Sequence, residues 1–590
     1  MCSFTSTIQG VKAALSLQLD MQTSPVVPLR IGMHTGDVIF EGNSIYGDGV
    51  NIASRMESFA IPGSIFISAK VYDDIKNQKD IQTISLGKYA LKNVKEQVEI
   101  FAVSNPGIIV PGKNSLEGKG EKVTETKITD KSIAVLPFTN MSNDPEQEYF
   151  SDGMAEEIIN SLAHIKDLKI AGRTSSARFK GKQIDLRIVG KKLGVATVLE
   201  GSIRKQGNRI RITAQLINVE DGFHLWSEKY DRNMDDIFTI QDEIALAITE
   251  QLKITLLEKE REIIIKPSTQ NAEAYELCLK GRFLLNRRGS SILTGMQFFK
   301  QAIAIDPGYA LAYTGYADAN FLAAFYGFFP GKEVMKEIKQ AVETAIKLDN
   351  LLGEAYFSLA AYNLFFEWDW VEAKKNYIKS IELNPKHAQA HSIYGMVCLA
   401  WVEGKFEEAR EQCLKAIKLE PLSAIDHADL AWALYTAGKF EEALTYAKTG
   451  IELDGNSFLS HRVAGLCYMG LKRYEEAIDT FTYLMKISNR HPHAVNSMIW
   501  AYCSNGNFEE ARELITELEK RSVTEYIAGT YFGLSAAYSG NLDASFNYLE
   551  QAYDDCDPIL ITLKFLPYVP PLLRNDPRFQ NILDRIGFPE

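Results

Sequence analysis

Long apolar runs are missing from this chain. Nowhere in its 590 residues does an uninterrupted apolar stretch reach the roughly 20 residues that span a bilayer, and no basic stretch followed by an apolar one opens the N-terminus. These absences argue against a membrane span and a secretory leader, and they predict a cytoplasmic location. An excess of positive charge is missing too. The formal net charge is −12, which repels phosphate backbones, so no nucleic-acid partner is expected. Cysteine is sparse: Cys2, Cys278, Cys398, Cys413, Cys467, Cys503 and Cys556 are odd in number, scattered, and include no Cys-x-x-Cys pair. That pattern excludes a disulfide framework and predicts reduced, mostly buried thiols. His387 and His391 stand four apart on an expected helix, without a third ligand in the pattern of a zinc enzyme. They read as ordinary helix positions, and no metal site is expected from them.

What is present is ordinary globular material, 46% hydrophobic and 24% charged, in a chain too long for one core. The first segment closes on the strand-like run Val98-Glu-Ile-Phe-Ala-Val103. Residues 105–130 shift to Gly, Lys, Thr, Glu and Pro, the composition of a flexible linker. Within it Gly112 to Gly120 imitates a phosphate-binding loop at the wrong spacing, with Gly120 where a hydroxyl should hold magnesium, and it reads as linker. Structure resumes at Ser132-Ile-Ala-Val-Leu-Pro-Phe138, a buried strand by its branched residues, followed by an amphipathic helix over 152–165 and a second over 187–193. Strands are predicted over 197–204, 209–217 and 224–230, joined by the turns Lys205-Gln-Gly-Asn208 and Glu220-Asp-Gly222. A helix over 235–256 closes this compact α/β domain, placed at 131–256.

From about Asn271 the chain is helix-periodic and repeats itself. Ala409, Ala443, Ala477 and Ala511 recur at intervals of 34, each within a Tyr/Phe-Glu-Glu-Ala sequence. Ala416 and Gly450 fall seven residues later, where two helices of a pair cross, and Pro421 and Gly455 mark the turn into the next repeat. A period of 34 is the tetratricopeptide (TPR) signature. About seven repeats are expected over 257–557, with an atypical cap over 558–590. Aromatics such as Tyr394, Trp432, Tyr468, Trp500 and Tyr502 are expected to pack between stacked helices. The stack as a whole should present a concave face that binds proteins or peptides.

Residues 28–57, which include Arg30-Ile-Gly-Met-His-Thr-Gly-Asp37 and Tyr46-Gly-Asp-Gly-Val-Asn-Ile-Ala-Ser-Arg55, resemble the later part of a class III adenylate/guanylate cyclase catalytic domain. The resemblance implies that Asn51 and Arg55, four apart on one helix face, are that family's transition-state pair. It places Ser44 at the base-selecting position, where the family usually carries Asp, and sets Lys92 beside a phosphate-contacting lysine. The family's two metal-binding aspartates lie before the point where the matching sequence starts, so residues 1–104 are expected to be the C-terminal part of such a domain. No cofactor is expected to be bound by this chain alone, and Mg or Mn is expected where a complete site forms. Asp37 and Asp48 sit in glycine-bounded turns and read as structural.

The wording Ile133-Ala-Val-Leu-Pro-Phe138, Tyr149-Phe-Ser-Asp-Gly-Met154, Leu199-Glu-Gly-Ser202 and Leu225-Trp-Ser-Glu-Lys-Tyr230 resembles the TolB-like amino-terminal domain, which implies protein contacts rather than catalysis. The expected fold class is therefore multidomain: an α/β cyclase-like fragment, an α/β TolB-like domain and an all-α TPR superhelix. The expected function is a signalling scaffold that binds partner proteins through the TPR repeats, its cyclase-like segment lacking the metal-binding aspartates and having little or no cyclase activity of its own. The alternative is an adenylate or guanylate cyclase whose site is completed by upstream sequence or by a complete cyclase subunit as partner.

Overall fold

The computed structural model describes residues 2–21, 27, 29–41, 44–90, 98–111, 121–123, 131–142, 144, 147–182, 184–258 and 268–589. The chain divides into two compact units, Met1–Lys127 and Ile128–Glu590.

The first unit is a five-stranded sheet with helices on both faces. Strands β1 (Ile31–Met33), β4 (Ile65–Ser68), β5 (Thr83–Ala90), β6 (Val98–Val103) and β7 (Glu121–Val123) lie in the order β1-β4-β6-β5-β7, and β2 (Ile39–Glu41) pairs with β3 (Ser44–Tyr46) as a separate hairpin. Among the described residues of this unit only β1 and β4 pair in parallel. Because side chains alternate across a strand, Ile65, Ile67, Phe101 and Val103 pack with helices α1 (Thr7–Asp20) and α3 (Ala69–Ile75). Phe66, Ile100 and Ala102 point the other way, onto Met56 and Phe59 of helix α2 (Asp48–Phe59) and Ala60 just after it. A sheet covered on both faces needs near-continuous apolar strands, which is why Ile65-Phe-Ile and Ile100-Phe-Ala-Val103 read as uninterrupted runs. Strand β7 falls inside the stretch expected to be linker; its backbone pairs with β5 at Lys88, Tyr89 and Ala90. The phosphate-loop imitation at 112–120 lies outside the described residues.

The second unit opens with the α/β region. Its sheet runs β10 (Lys169–Ile170), β8 (Ser132–Val135), β11 (Thr197–Gln206), β12 (Arg209–Asn218), β13 (His224–Asn233), with the short β9 (Thr139–Asn140) also paired to β11. The two expected hairpins form, with Gly207 and Gly222 at positive φ in their turns. Helices α4 (Glu148–Ala163) and α7 (Ile237–Gln251) cover one face, and α6 (Leu186–Leu193) covers the other.

Eight helix pairs follow among the described residues, from Ala272–Arg287 with Ser291–Ile305 to Gly529–Tyr538 with Leu542–Asp554. This is one pair more than the repeat wording suggested. Ala409, Ala443 and Ala477 are fully buried at the crossings, and Ala511 is nearly so. A Cβ at Gly450 would lie 2.3 Å from Ser460 Oγ and 3.1 Å from the Ala424 carbonyl, so the small residue there is a packing requirement. Two inner helices pass into π-helical turns, Asn363–Glu367 and Tyr394–Val402.

The α/β region and the array share a core rather than meeting across a linker. Tyr275 and Leu279 of the first array helix are buried among Ile158, Ile240 and Ile244, and Gln241 donates to the Tyr275 hydroxyl at 2.6 Å. Farther along, the buried Glu420 carboxylate accepts hydrogen bonds from the amides of Thr174 (3.0 Å) and Ser175 (2.7 Å). Those amides open helix α5 (Arg173–Ala177). Lys386 Nζ donates to the carbonyls of Ile165 and Leu168 at 2.6 and 2.8 Å.

Candidate functional sites

In the first unit the site is built on α2. This helix is clamped to the sheet at Gly32 of β1, where a Cβ would lie 2.2 Å from the Glu57 amide nitrogen, 2.6 Å from the Ala53 carbonyl oxygen and 2.7 Å from the Met56 carbonyl carbon. Only glycine lets strand and helix backbones come this close. Gly47 caps the helix at φ 138°, a backbone reserved for glycine, and a Cβ there would meet the Asp37 carbonyl at 2.6 Å. The loop at Gly36 approaches the first turn of α2 at Gly49 so closely that a Cβ on Gly36 would lie 3.1 Å from the Gly49 Cα. Asp37 is thus placed in an exposed loop that buttresses the start of α2, and Asp48 is the first residue of that helix. On the neighbouring strand end, His34 Nδ1 and Ser68 Oγ hydrogen-bond at 2.9 Å, and burial, with the nearby Lys70 charge, holds His34 below its ordinary pKa.

Asn51 and Arg55 lie on successive turns of α2, both exposed. Among the described residues neither makes a side-chain hydrogen bond or ion pair. The neighbouring Arg30, by contrast, pairs with Glu57 at 3.0 Å. The arrangement places an amide and a guanidinium one turn apart on the same helix, groups able to hydrogen-bond and to pair with an anion. Ser44 is the first residue of β3, opposite Glu41, one short loop before α2. Lys92 lies outside the described residues. No group of three His, Cys, Asp or Glu able to hold a metal occurs among the described residues, so the residues placed here do not fit a metal site.

The concave side of the helical array is the second candidate, and the chain fills it itself. After the last helix pair, residues 556–573 turn back inside. The 3₁₀ segment Pro558–Thr562 packs against helix Ala310–Phe325 and against both π-helical turns. Leu560, Ile561, Leu563, Leu566 and Leu573 are fully buried. Tyr568 stacks on Trp500 with ring centroids 4.8 Å apart, and its carbonyl accepts a hydrogen bond from the Tyr538 hydroxyl at 2.7 Å. Phe565 lies edge-on to Phe406 at 6.2 Å. Arg574 donates to the carbonyls of Lys564, Leu566 and Val569, fixing the turn that ends the segment. Trp500, expected to pack between helices, finds its nearest ring in this segment.

Early and late repeats also meet. His491 Nε2 contacts the Tyr326 carbonyl at 3.2 Å, Phe325 and His493 have ring centroids 6.0 Å apart, and His493 contacts the Tyr531 hydroxyl. Burial pushes His491 down to about 4. A recurring device went unread in the sequence: Nε2 of His391, His427 and His461 contacts the carbonyls of Pro385, Pro421 and Gly455, six residues back in each repeat turn. The spacing of 34 between His427 and His461 was the available signal. His391 also engages Gln412 through Nδ1 at 2.8 Å, and the half-buried His387 lies beside Phe357, with ring centroids 5.2 Å apart.

Residues 8–105 match the adenylate and guanylate cyclase catalytic domain, residues 428–490 the tetratricopeptide repeat, and residues 493–523 the PPR repeat. Residues 129–247 match the second domain of HilA/YgeH-like transcriptional regulators. The chain is 34% identical over 375 residues to the Rhizobium meliloti (strain 1021) protein "Putative adenylate cyclase 3", covering 60% of this chain and 62% of that one. It is 34% identical over 94 residues to the human guanylate cyclase soluble subunit beta-2, covering 14% and 15%. The chain thus spans about three fifths of the bacterial relative and a small part of the human one. Among solved structures, the TPR protein YrrB superposes with a TM-score of 0.23 at 18% identity, over 34% of this chain and 96% of that one. A cyclase catalytic domain sequence at the N-terminal end and helical repeats at the C-terminal end are therefore both present.

Proposed function

We propose that the first unit supplies Asn51 and Arg55 to the active site of a nucleotide cyclase that converts ATP to cyclic AMP and diphosphate, and that the repeat unit binds the protein that localises or controls it. The observation that carries this reading is the pair itself, exposed and, among the described residues, without a side-chain partner, on a helix clamped through Gly32. In the proposed reaction the ribose 3′-oxygen attacks the α-phosphorus and diphosphate leaves. Asn51 orients the ribose, and Arg55 neutralises charge that grows on the transferring phosphate. The preference for adenine draws on the name of the 34%-identical bacterial relative; Ser44 takes the base-selecting position. Because the described residues do not form a metal site, the carboxylates for Mg or Mn come from outside that set, and a complete cyclase subunit is the partner proposed to supply them. The TolB-like resemblance of 131–256 supports a protein-contact role for the middle region, and a cytoplasmic location is proposed with it.

The test is complementation. A class III catalytic domain that keeps its metal carboxylates but has lost its own Asn and Arg is mixed with this chain, ATP and manganese, and cyclic AMP is measured. Restored production that disappears with Arg55→Ala supports the assignment. If a verified complex of the two chains yields none, the catalytic half of the proposal is refuted and the scaffold role remains.

A further inference from the structure

The filled groove holds a mismatch. Arg462, on the inner helix Phe458–Gly470, is only 8% exposed, yet its Nη2 has no hydrogen-bond partner among the described residues. Its Nε donates to Ser497 Oγ at 3.3 Å and its guanidinium lies over Trp432, 5.3 Å from the ring centroid. Among the described residues no carboxylate pairs with it. Beside Ser497, the fully buried Asn496 uses its Oδ1 to accept from Ser535 at 2.9 Å while its Nδ2 is unpaired among the described residues. Trp500, on which Tyr568 stacks, also has an unpaired Nε1. The carboxylate carried by the inner segment, Asp557, is engaged elsewhere, by the Thr530 hydroxyl and amide and by the Ile559 amide. Its remaining contribution to the groove is largely apolar, from Leu560, Ile561, Leu563 and Leu566.

A buried guanidinium without a counter-charge destabilises the state that buries it, and unpaired buried donors add to that cost. The donors of Arg462, Asn496 and Trp500 call for acceptors that the apolar inner segment does not offer. Charge complementarity therefore names the better occupant.

We propose that residues 556–573 are an internal plug of the repeat groove, displaced by an extended, carboxylate-bearing segment of a partner protein that pairs with Arg462 and Asn496. This rests on the reading that the repeat unit binds protein, and it adds the ligand chemistry and the way access is controlled. The plug holds the groove closed through apolar burial, and the partner opens it by satisfying the donors that the plug leaves unpaired.

The probe is a fluorescent twelve-residue peptide of alternating Glu and Leu, with a Gln-for-Glu twin, titrated against the full chain and against a Tyr568→Ala variant that weakens the plug. The Glu peptide should bind, Tyr568→Ala should tighten binding, and amide hydrogen exchange over 556–573 should accelerate on binding. Arg462→Gln and the Gln twin should each weaken binding by at least about tenfold. Binding that leaves exchange over 556–573 unchanged would overturn the plug while sparing the partner-binding role. No binding to either chain would overturn the proposed ligand chemistry. Equal binding of the two peptides would overturn the role of Arg462. Loss confined to the Gln twin keeps the test valid if Arg462→Gln does not fold.

Discussion

Gly32→Ala offers a sharp check on how the first unit positions its candidate residues. The added methyl carbon would sit 2.2 Å from the Glu57 amide nitrogen and 2.6–2.7 Å from backbone atoms of Ala53 and Met56, against an ordinary contact of 3.4–4 Å. Every obstructing atom is helix backbone, so no side chain can swing aside. The end of α2 would have to retreat from β1 by about 1 Å or more, loosening Met56 and Phe59 against Phe66 and Ile100. Overpacking of this kind costs about 1–3 kcal/mol, and a shift of 1 Å in a reacting group costs rate as well. All six tryptophans lie in the second unit, so their emission reports on it alone, and the first unit is best followed by amide hydrogen exchange of the α2 backbone. The expected outcome is α2 opening made easier by about 1–3 kcal/mol, unchanged tryptophan emission, and weaker complementation than wild type. Exchange rates for α2 within about 0.5 kcal/mol of wild type would refute the claim that this contact fixes the helix.

Arg55→Ala, at an exposed position, should change stability by no more than about 0.5 kcal/mol while abolishing complementation; urea unfolding beside the cyclic AMP assay separates the two effects. Glu420→Ala strands the buried Ser175 amide and its Thr174 neighbour, and should cost about 2–4 kcal/mol, seen as earlier loss of exchange protection in α5 and the turn at Pro421–Leu422. Asp429→Asn is the pH test. Burial, then the charge of Asp426, pushes Asp429 up to about 8, against a bond from Ser392 at 2.6 Å. A raised carboxylate favours the fold when protonated, so this contribution is complete below pH about 4 and is lost as pH rises toward 8. Asn imitates the neutral form, so the variant should overtake wild type as pH rises, by at least about 1 kcal/mol at pH 8; curves that stay parallel from pH 4 to 8 would contradict it. Comparing the two chains at each pH cancels His491, whose lowered pKa acts the opposite way, losing stability as pH falls from 6.5 toward 4.

Much of the architecture was legible because it is written locally. The alanines at intervals of 34 mark helix crossings whose geometry is decided within one repeat, and the turns at Gly207 and Gly222 carry their own backbone chemistry. That Asn51 and Arg55 share one face of a helix was legible from their spacing of four. What escaped was decided at a distance. Nothing in Pro558–Leu573 announces that it will turn inward, since its apolar residues could equally have capped the stack. The pairing of Glu121–Val123 with β5 was hidden by linker-like composition. Arg462 looks like any helix arginine until the surrounding inner helices bury it. The shared core around Tyr275 was hidden by the apparent change of fold class near residue 257.

The contact of Tyr326 with His491 changes how the array should respond to pulling or trimming. An open solenoid behaves as a spring, shedding end repeats one by one as each is held only by its neighbour. Here the second helix pair is fastened to the seventh, which makes a clasped ring of those between. Such a ring resists stretching and then fails as a whole, so stepwise shortening from the C-terminal side should give an abrupt loss of folding rather than a graded decline.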